Sequence, residues 1–350
     1  MQQIAPKKRN HFISYLKGWA ILSVLLIHLI DWSNIQLGTT GNWLKELLYP
    51  GVFFFMSTAG SVVYIAYIKS DTWSKPAVKL FKRGWQLIGV YYLYNFIKLF
   101  VYNFSVEPFY DQFTNNGQMN WHNILFLKAF SSPISILLTI GVMIMLSPIL
   151  LYISKRFKQA NVLIFLIIIT VASLDYLFKF SGSISNFLFA RNNIMFPIAL
   201  WSLPFLLGYL IASLGFEQKK GWLLVIFSPI TAGFIFYLLK NNLSLEPSHY
   251  MYPLHPYYMS VSILYMSIFF YLFFFLEKIN SRLVKIKLAT LRFFGDFTLS
   301  IYIYQWLVID LFLWVFYPKV LSIWVAVPLM LMVFTIIKNK KFKEYLESQT

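Results

Sequence analysis

The sequence predicts an all-α membrane protein, a polytopic bundle of about ten transmembrane helices with both termini cytoplasmic. Three observations carry that expectation. The 350 residues are 59% hydrophobic and only 12% charged, against roughly 25% charge in soluble domains, so a water-soluble fold is excluded. Runs of about 20 mainly apolar residues, enough to cross some 30 Å of hydrocarbon, recur along the whole chain. Lysine and arginine are sorted between alternate loops, as positive-inside insertion requires.

The spanning segments are expected near residues 12–30, 47–68, 85–104, 134–153, 160–178, 194–214, 221–239, 257–276, 296–317 and 320–337. The first is too long for a signal-peptide core and lacks a small-residue cleavage site, so it is expected to stay. Under this layout the N-terminal side holds 23 of the 30 basic residues against 6 acids, a net +17, and the opposite side holds 7 against 7. The N-terminal side is therefore cytoplasmic. The +17 reads as topology and attraction to anionic lipid headgroups, and no nucleic-acid partner is needed to explain it. No internal repeat is visible and the connections are short, so residues 1–350 are expected to form a single transmembrane domain. With no cysteine in the chain, disulfides, thiolate metal sites and cysteine nucleophiles are excluded.

Ionisable groups inside spanning segments are functional candidates by default, because they are expensive to hold there. The first helix has two, Lys17 near its cytoplasmic end and His28 near its outer end. Eleven steps of about 100° bring His28 to within roughly 20° of the face of Lys17, about 16 Å further along the axis. Asp31 follows at i+3, where its carboxylate can hold the imidazole tautomer of a general-base dyad. The alternative is a snorkelling lysine and a polar helix interface.

Lys82, Arg83 and Gln86 open the third helix, where cations can hold a phosphate or simply anchor the helix. On the ninth, Asp296, Ser300 and Tyr304 roughly share a face, with Gln305 next to them; Asp296 can also serve as an N-cap. The loop from Glu246 to Tyr258 carries tyrosines, His249 and His255, suited either to stacking on a sugar or to an interfacial belt. These histidines have no carboxylate at ligand spacing, so no metal is expected. His11 and His122 are expected at the surface.

These residues lie in an order that resembles the acyltransferase-3 family of bacterial membrane proteins. Lys17-Gly18-Trp19-Ala20 leading to His28 is similar to its first-helix pattern of Arg-Gly-x-Ala followed by His, with lysine in place of arginine. Phe53-Phe54-Phe55-Met56-Ser57-Thr58 is similar to Phe-Phe-x-x-Ser-Gly, with Thr58 replacing glycine. Arg83 and Gln86 match the two arginines of an Arg-x-x-Arg segment, the second substituted. Pro204 to Tyr209 resembles the sixth-helix segment. Gly295 to Gln305 is similar to Gly-x-x-Ser/Thr-x-x-Ile-Tyr-x-x-His, with Gln305 at the histidine.

The resemblance implies an integral O-acyltransferase of the bacterial inner membrane. It would move an acyl group, acetyl above all, from cytoplasmic acyl-CoA to a hydroxyl of an extracytoplasmic polysaccharide or lipid-linked glycan. It further implies His28 as general base with Asp31 beside it, and Lys17, Lys82, Arg83 and Gln86 along the donor's phosphates. Ser57, Asp296, Tyr304 and Gln305 are then substrate or oxyanion contacts. Two other roles fit the same architecture: a polysaccharide exporter or flippase, and a catalytically degenerate assembly partner. Acyl identity, acceptor sugar and oligomeric state, a homodimer included, are not fixed by the sequence.

Overall fold

The computed structural model describes residues 11–32, 38–70, 72–104, 114–115, 120–127, 130–131, 134–157, 159–178, 196–215, 221–252 and 254–316. The expected tenth segment at 320–337 and both termini lie outside the described residues. Twelve α-helices are described: α1 (His11–Trp32), α2 (Thr39–Glu46), α3 (Pro50–Tyr67), α4 (Ser74–Phe104), α5 (Trp121–Leu125), α6 (Ser135–Arg156), α7 (Ala160–Phe178), α8 (Ile198–Ser213), α9 (Trp222–Lys240), α10 (Pro256–Glu277), α11 (Arg282–Asp296) and α12 (Thr298–Phe316). A two-residue antiparallel ladder joins β1 (Thr114–Asn115) to β2 (Phe130–Ser131), and a 3₁₀ turn covers Pro247–Tyr250.

Nine of the ten expected segments coincide with helices. Among the described residues five helices are long and apolar enough to cross a membrane, and α8 is a shorter apolar helix. Two differences from the expectation stand out. α12 starts at Thr298, after a break at Phe297, so Asp296 ends α11 and does not cap α12. The stretch expected as a basic loop, 282–296, is itself a helix. α11 turns Leu288, Ala289, Phe293 and Phe294 into the core while Arg282, Lys285 and Lys287 stay exposed, the pattern of an amphipathic helix seated against a bundle.

The bundle is built around α1 and α3. α1 packs on α3, α10, α11 and α12, and α3 packs in turn on α8, α10 and α6. α4 joins through α6, α7 through α8, and α9 through α10. Without a hydrophobic drive between helices in lipid, close van der Waals approach at small residues holds such a bundle together. Two seams show it. At the α1/α11 crossing a Cβ on Gly18 would stand 1.9 Å from the Leu291 carbonyl oxygen, and one on Gly295 would stand 1.8 Å from that of Ser14. At the α3/α8 seam a Cβ on Gly208 would stand 1.8 Å from the Ser57 carbonyl oxygen. At these points backbone lies directly on backbone. The peripheral faces remain apolar and exposed, as at Val225 and Phe236 of α9 or Leu93 and Phe100 of α4, which is what helices facing lipid present.

Candidate active site

Packing fixes which way α1 faces. Ala20 and Ile21 are fully buried, the Trp19 ring lies 4.6 Å from Phe269 of α10, and Ser23 is pressed against Gly51 of α3. Seven residues beyond Ile21, the His28 imidazole meets the Trp306 indole of α12 edge-on, ring centroids 4.4 Å apart. Gln305, completely buried, lies beside the same imidazole. His28 Nδ1 is buried with no hydrogen-bond partner, while the Gln305 side chain is a hydrogen-bonding neighbour of the imidazole. Buried polar groups are nearly always satisfied, so the orphaned imidazole nitrogen asks for a ligand. One turn earlier on α12, Tyr302 is buried and stacks on Phe55 of α3 at 5.8 Å.

α1, α3 and α12 therefore bring His28, Gln305, Trp306 and Tyr302 together. Tyr302 and Trp306 were not singled out in the sequence. The signal for them is the stripe Ile301, Tyr302, Gln305 and Trp306, all buried, which is the inward face of α12. Asp296, Ser300 and Tyr304 follow a different line: Ser300 is exposed and Tyr304 is half exposed. Asp296 sits at the far end of α11, where it accepts a hydrogen bond from the Ser14 hydroxyl at 3.1 Å.

The remaining candidates are dispersed. Lys17 is partly buried, adjoining the Gly18 crossing. Lys82, Arg83 and Gln86 are exposed along α4, with Gly84 between them turned onto Gly141 of α6. Since α4 joins the bundle through α6, these three are not brought beside His28. Ser57 belongs to the α3/α8 seam, about 200° around α3 from Phe55, which faces α12. Asp31 has a helical backbone, and its side chain lies outside the described residues.

The loop from Glu246 to Tyr258 is bound to the bundle and to itself. The partly buried Ser248 donates from its backbone N–H and its hydroxyl to the buried Glu46 carboxylate, at 2.9 and 2.8 Å, two charge-assisted bonds that clamp it to α2. Tyr250 and Tyr257 hydroxyls donate to the carbonyls of Ser244 and Leu245, and His249 pairs with Glu246 at 3.2 Å. His255 caps α10, its Nδ1 accepting the Tyr257 N–H at 3.1 Å.

Burial holds the His255 imidazole below its ordinary value of 6.5. The folded protein thus keeps it neutral where the unfolded chain protonates it, and stability falls as pH drops below about 6.5. Melting temperatures at pH 7.5 and 5.5 should show this loss shrinking in His255→Asn, which retains a cap without the titration. An undiminished loss would assign the pH dependence elsewhere.

The acyltransferase-domain family matches residues 10–337. The chain belongs to this family. No curated protein and no solved structure matches it. The match takes in every helix of this acyltransferase that shapes the His28 site. Among the described residues of the acyltransferase, no three His, Cys, Asp or Glu side chains converge. The groups that do converge are an imidazole and a carboxamide in an apolar wall, which can take a proton from a hydroxyl and can donate or accept hydrogen bonds.

Proposed function

We propose that this membrane acyltransferase moves an acyl group, acetyl in the simplest case, from cytoplasmic acyl-CoA to a hydroxyl of an extracytoplasmic polysaccharide or lipid-linked glycan. The setting is the bacterial inner membrane. The observation that supports it best is the partly buried His28 imidazole, its Nδ1 buried and unpartnered, among the side chains of α12 in a chain of the acyltransferase family.

In this reading His28 accepts the proton of the acceptor hydroxyl while that oxygen attacks the thioester carbonyl carbon. The carbonyl π pair moves onto its oxygen. Collapse of the tetrahedral intermediate breaks the carbon–sulfur bond, and the proton held by His28 passes to the departing thiolate. Products are the ester and free CoA. Asp31, one turn beyond His28, orients the imidazole. Lys17, Lys82, Arg83 and Gln86 hold the donor's phosphates; a flexible arm joins those phosphates to the thioester, so the contacts need not adjoin His28. Ser57, Asp296 and Tyr304 lie along the substrate path.

Isothermal titration tests the donor. Acetyl-CoA and free CoA should both saturate the detergent-purified protein, and Arg83→Ala should weaken both by about tenfold, the scale of one charge-assisted hydrogen bond lost. Absence of binding in a folded protein would overturn the reading.

A further inference from the structure

Trp201, on the first turn of α8, is wholly buried, yet its indole N–H has no hydrogen-bond acceptor. Rings surround it. Phe196, whose carbonyl accepts from the Thr139 hydroxyl of α6 at 2.7 Å, has its ring centroid 4.8 Å from that of Trp201. The Tyr252 centroid lies 5.8 Å away, its ring tilted by 35°. Tyr258 stands 6.4 Å from the indole, its hydroxyl donating to the Tyr49 carbonyl at 2.9 Å. Phe196, Trp201 and Tyr258 are at most 6% exposed, whereas Tyr252 keeps 37% of its surface open. An open ring backed by a rigid stack of buried ones is a preorganised platform, because presenting its face to a ligand costs little ordering.

The platform also leads to the imidazole. Tyr302 lies beside Tyr252, and Trp306, one turn further along α12, makes the edge contact with His28. The loop that bears Tyr252 is held in place by the Ser248–Glu46 clamp, and its Tyr250 and Tyr257 hydroxyls are spent on loop carbonyls. We propose that the recess between Trp201 and Tyr252 is the acceptor subsite, in which the apolar C–H face of a neutral pyranose stacks on Tyr252 and one of its hydroxyl oxygens accepts from Trp201 Nε1–H. The sugar then stands beside the rings that reach His28, which brings the hydroxyl to be acylated toward the base. That last consequence rests on the acyl-transfer reading above. The ligand class follows from the lining: flat apolar faces with an N–H donor match a sugar ring, which has C–H bonds on one side and hydroxyls around its edge. None of these rings carries a charge to offset a carboxylate, whose burial among them is costly, so uronic acids are disfavoured.

The test reads binding without the donor. Full-length protein in lipid nanodiscs, free of glycosidic detergent, is titrated calorimetrically with methyl hexopyranosides, with methyl glucuronoside and with the open-chain polyol sorbitol. The hexopyranosides should saturate, and the glucuronoside and sorbitol should bind about tenfold more weakly. Tyr252→Ala should weaken the hexopyranosides about tenfold, while Tyr252→Phe, which keeps the stacking face, should stay near wild type. Trp201→Phe keeps a ring and loses the donor, and should weaken them about fivefold. Acetyl-CoA affinity should be unchanged in all three variants. A Tyr252→Ala protein that melts lower but binds hexopyranosides like wild type would make the ring an interfacial anchor and overturn the proposal. Folded wild type that takes up no hexopyranoside, or that prefers sorbitol or the glucuronoside, would overturn it as well. Hexopyranoside binding in a protein that does not bind acetyl-CoA would support the subsite and overturn the transferase reading.

Discussion

Replacing His28 by alanine is expected to abolish acyl transfer while the protein still inserts, folds and binds its donor. General-base catalysis contributes about 10²- to 10⁴-fold, and His28 is the imidazole set against Trp306 and Gln305. The structural penalty is small by comparison. His28 Nδ1 makes no hydrogen bond, so truncation loses one edge-on ring contact with Trp306 and the hydrogen-bonding contact with Gln305. Thiol release from acetyl-CoA, measured alongside thermal unfolding, separates the two effects. Wild-type turnover in His28→Ala would remove the imidazole from the mechanism.

The second large effect is on folding. Gly208→Ala places a methyl 1.8 Å from the Ser57 carbonyl oxygen and 2.5 Å from its carbonyl carbon, a backbone with nowhere to move because Ser61 also ties the seam by donating to the Gly208 carbonyl at 2.8 Å. Real Cβ atoms do not approach so closely, so α3 and α8 must separate. Overpacking of this kind costs about 1–3 kcal/mol or more, and a drop of roughly 5 °C in melting temperature is expected for a chain of this size. Gly233→Ala on α9, where a Cβ meets nothing within 4 Å, supplies the control and should melt close to wild type. Equal behaviour of the two variants would show that the α3/α8 seam does not limit stability.

The helical architecture was legible because membrane insertion writes it in long apolar runs, which need no knowledge of neighbours. The site was legible only in part. His28 could be found because an imidazole among Leu25, Leu26, Ile27 and Leu29 is conspicuous along the chain. Trp306 and Tyr302 could not, since aromatic residues are common in every segment and only packing shows which of them face inward. The face shared by Asp296 and Tyr304 presumes one continuous helix, whereas the break at Phe297 divides them between α11 and α12, and the buried stripe of α12 runs through Ile301, Tyr302, Gln305 and Trp306. α11 was missed because its charges marked it as a loop, whereas those charges occupy one side of a helix whose other side is core. The glycines at 18, 208 and 295, met in the sequence as parts of motifs, acquire a physical meaning only from the backbones laid across them.

The crossing of α1 and α11 at Gly18 and Gly295 also behaves as a keyed joint. With carbonyls seated on both glycines, α1 can neither turn about its axis nor slip by one residue, a step that would swing every side chain by about 100°. Tilting about the joint remains open to it. His28 stands ten residues beyond Gly18, an arm of about 15 Å, so a 10° tilt displaces the imidazole by roughly 2.6 Å, close to the length of a hydrogen bond. A contact with no polar function at one end of the helix is thereby the fulcrum that sets the reach of the base at the other.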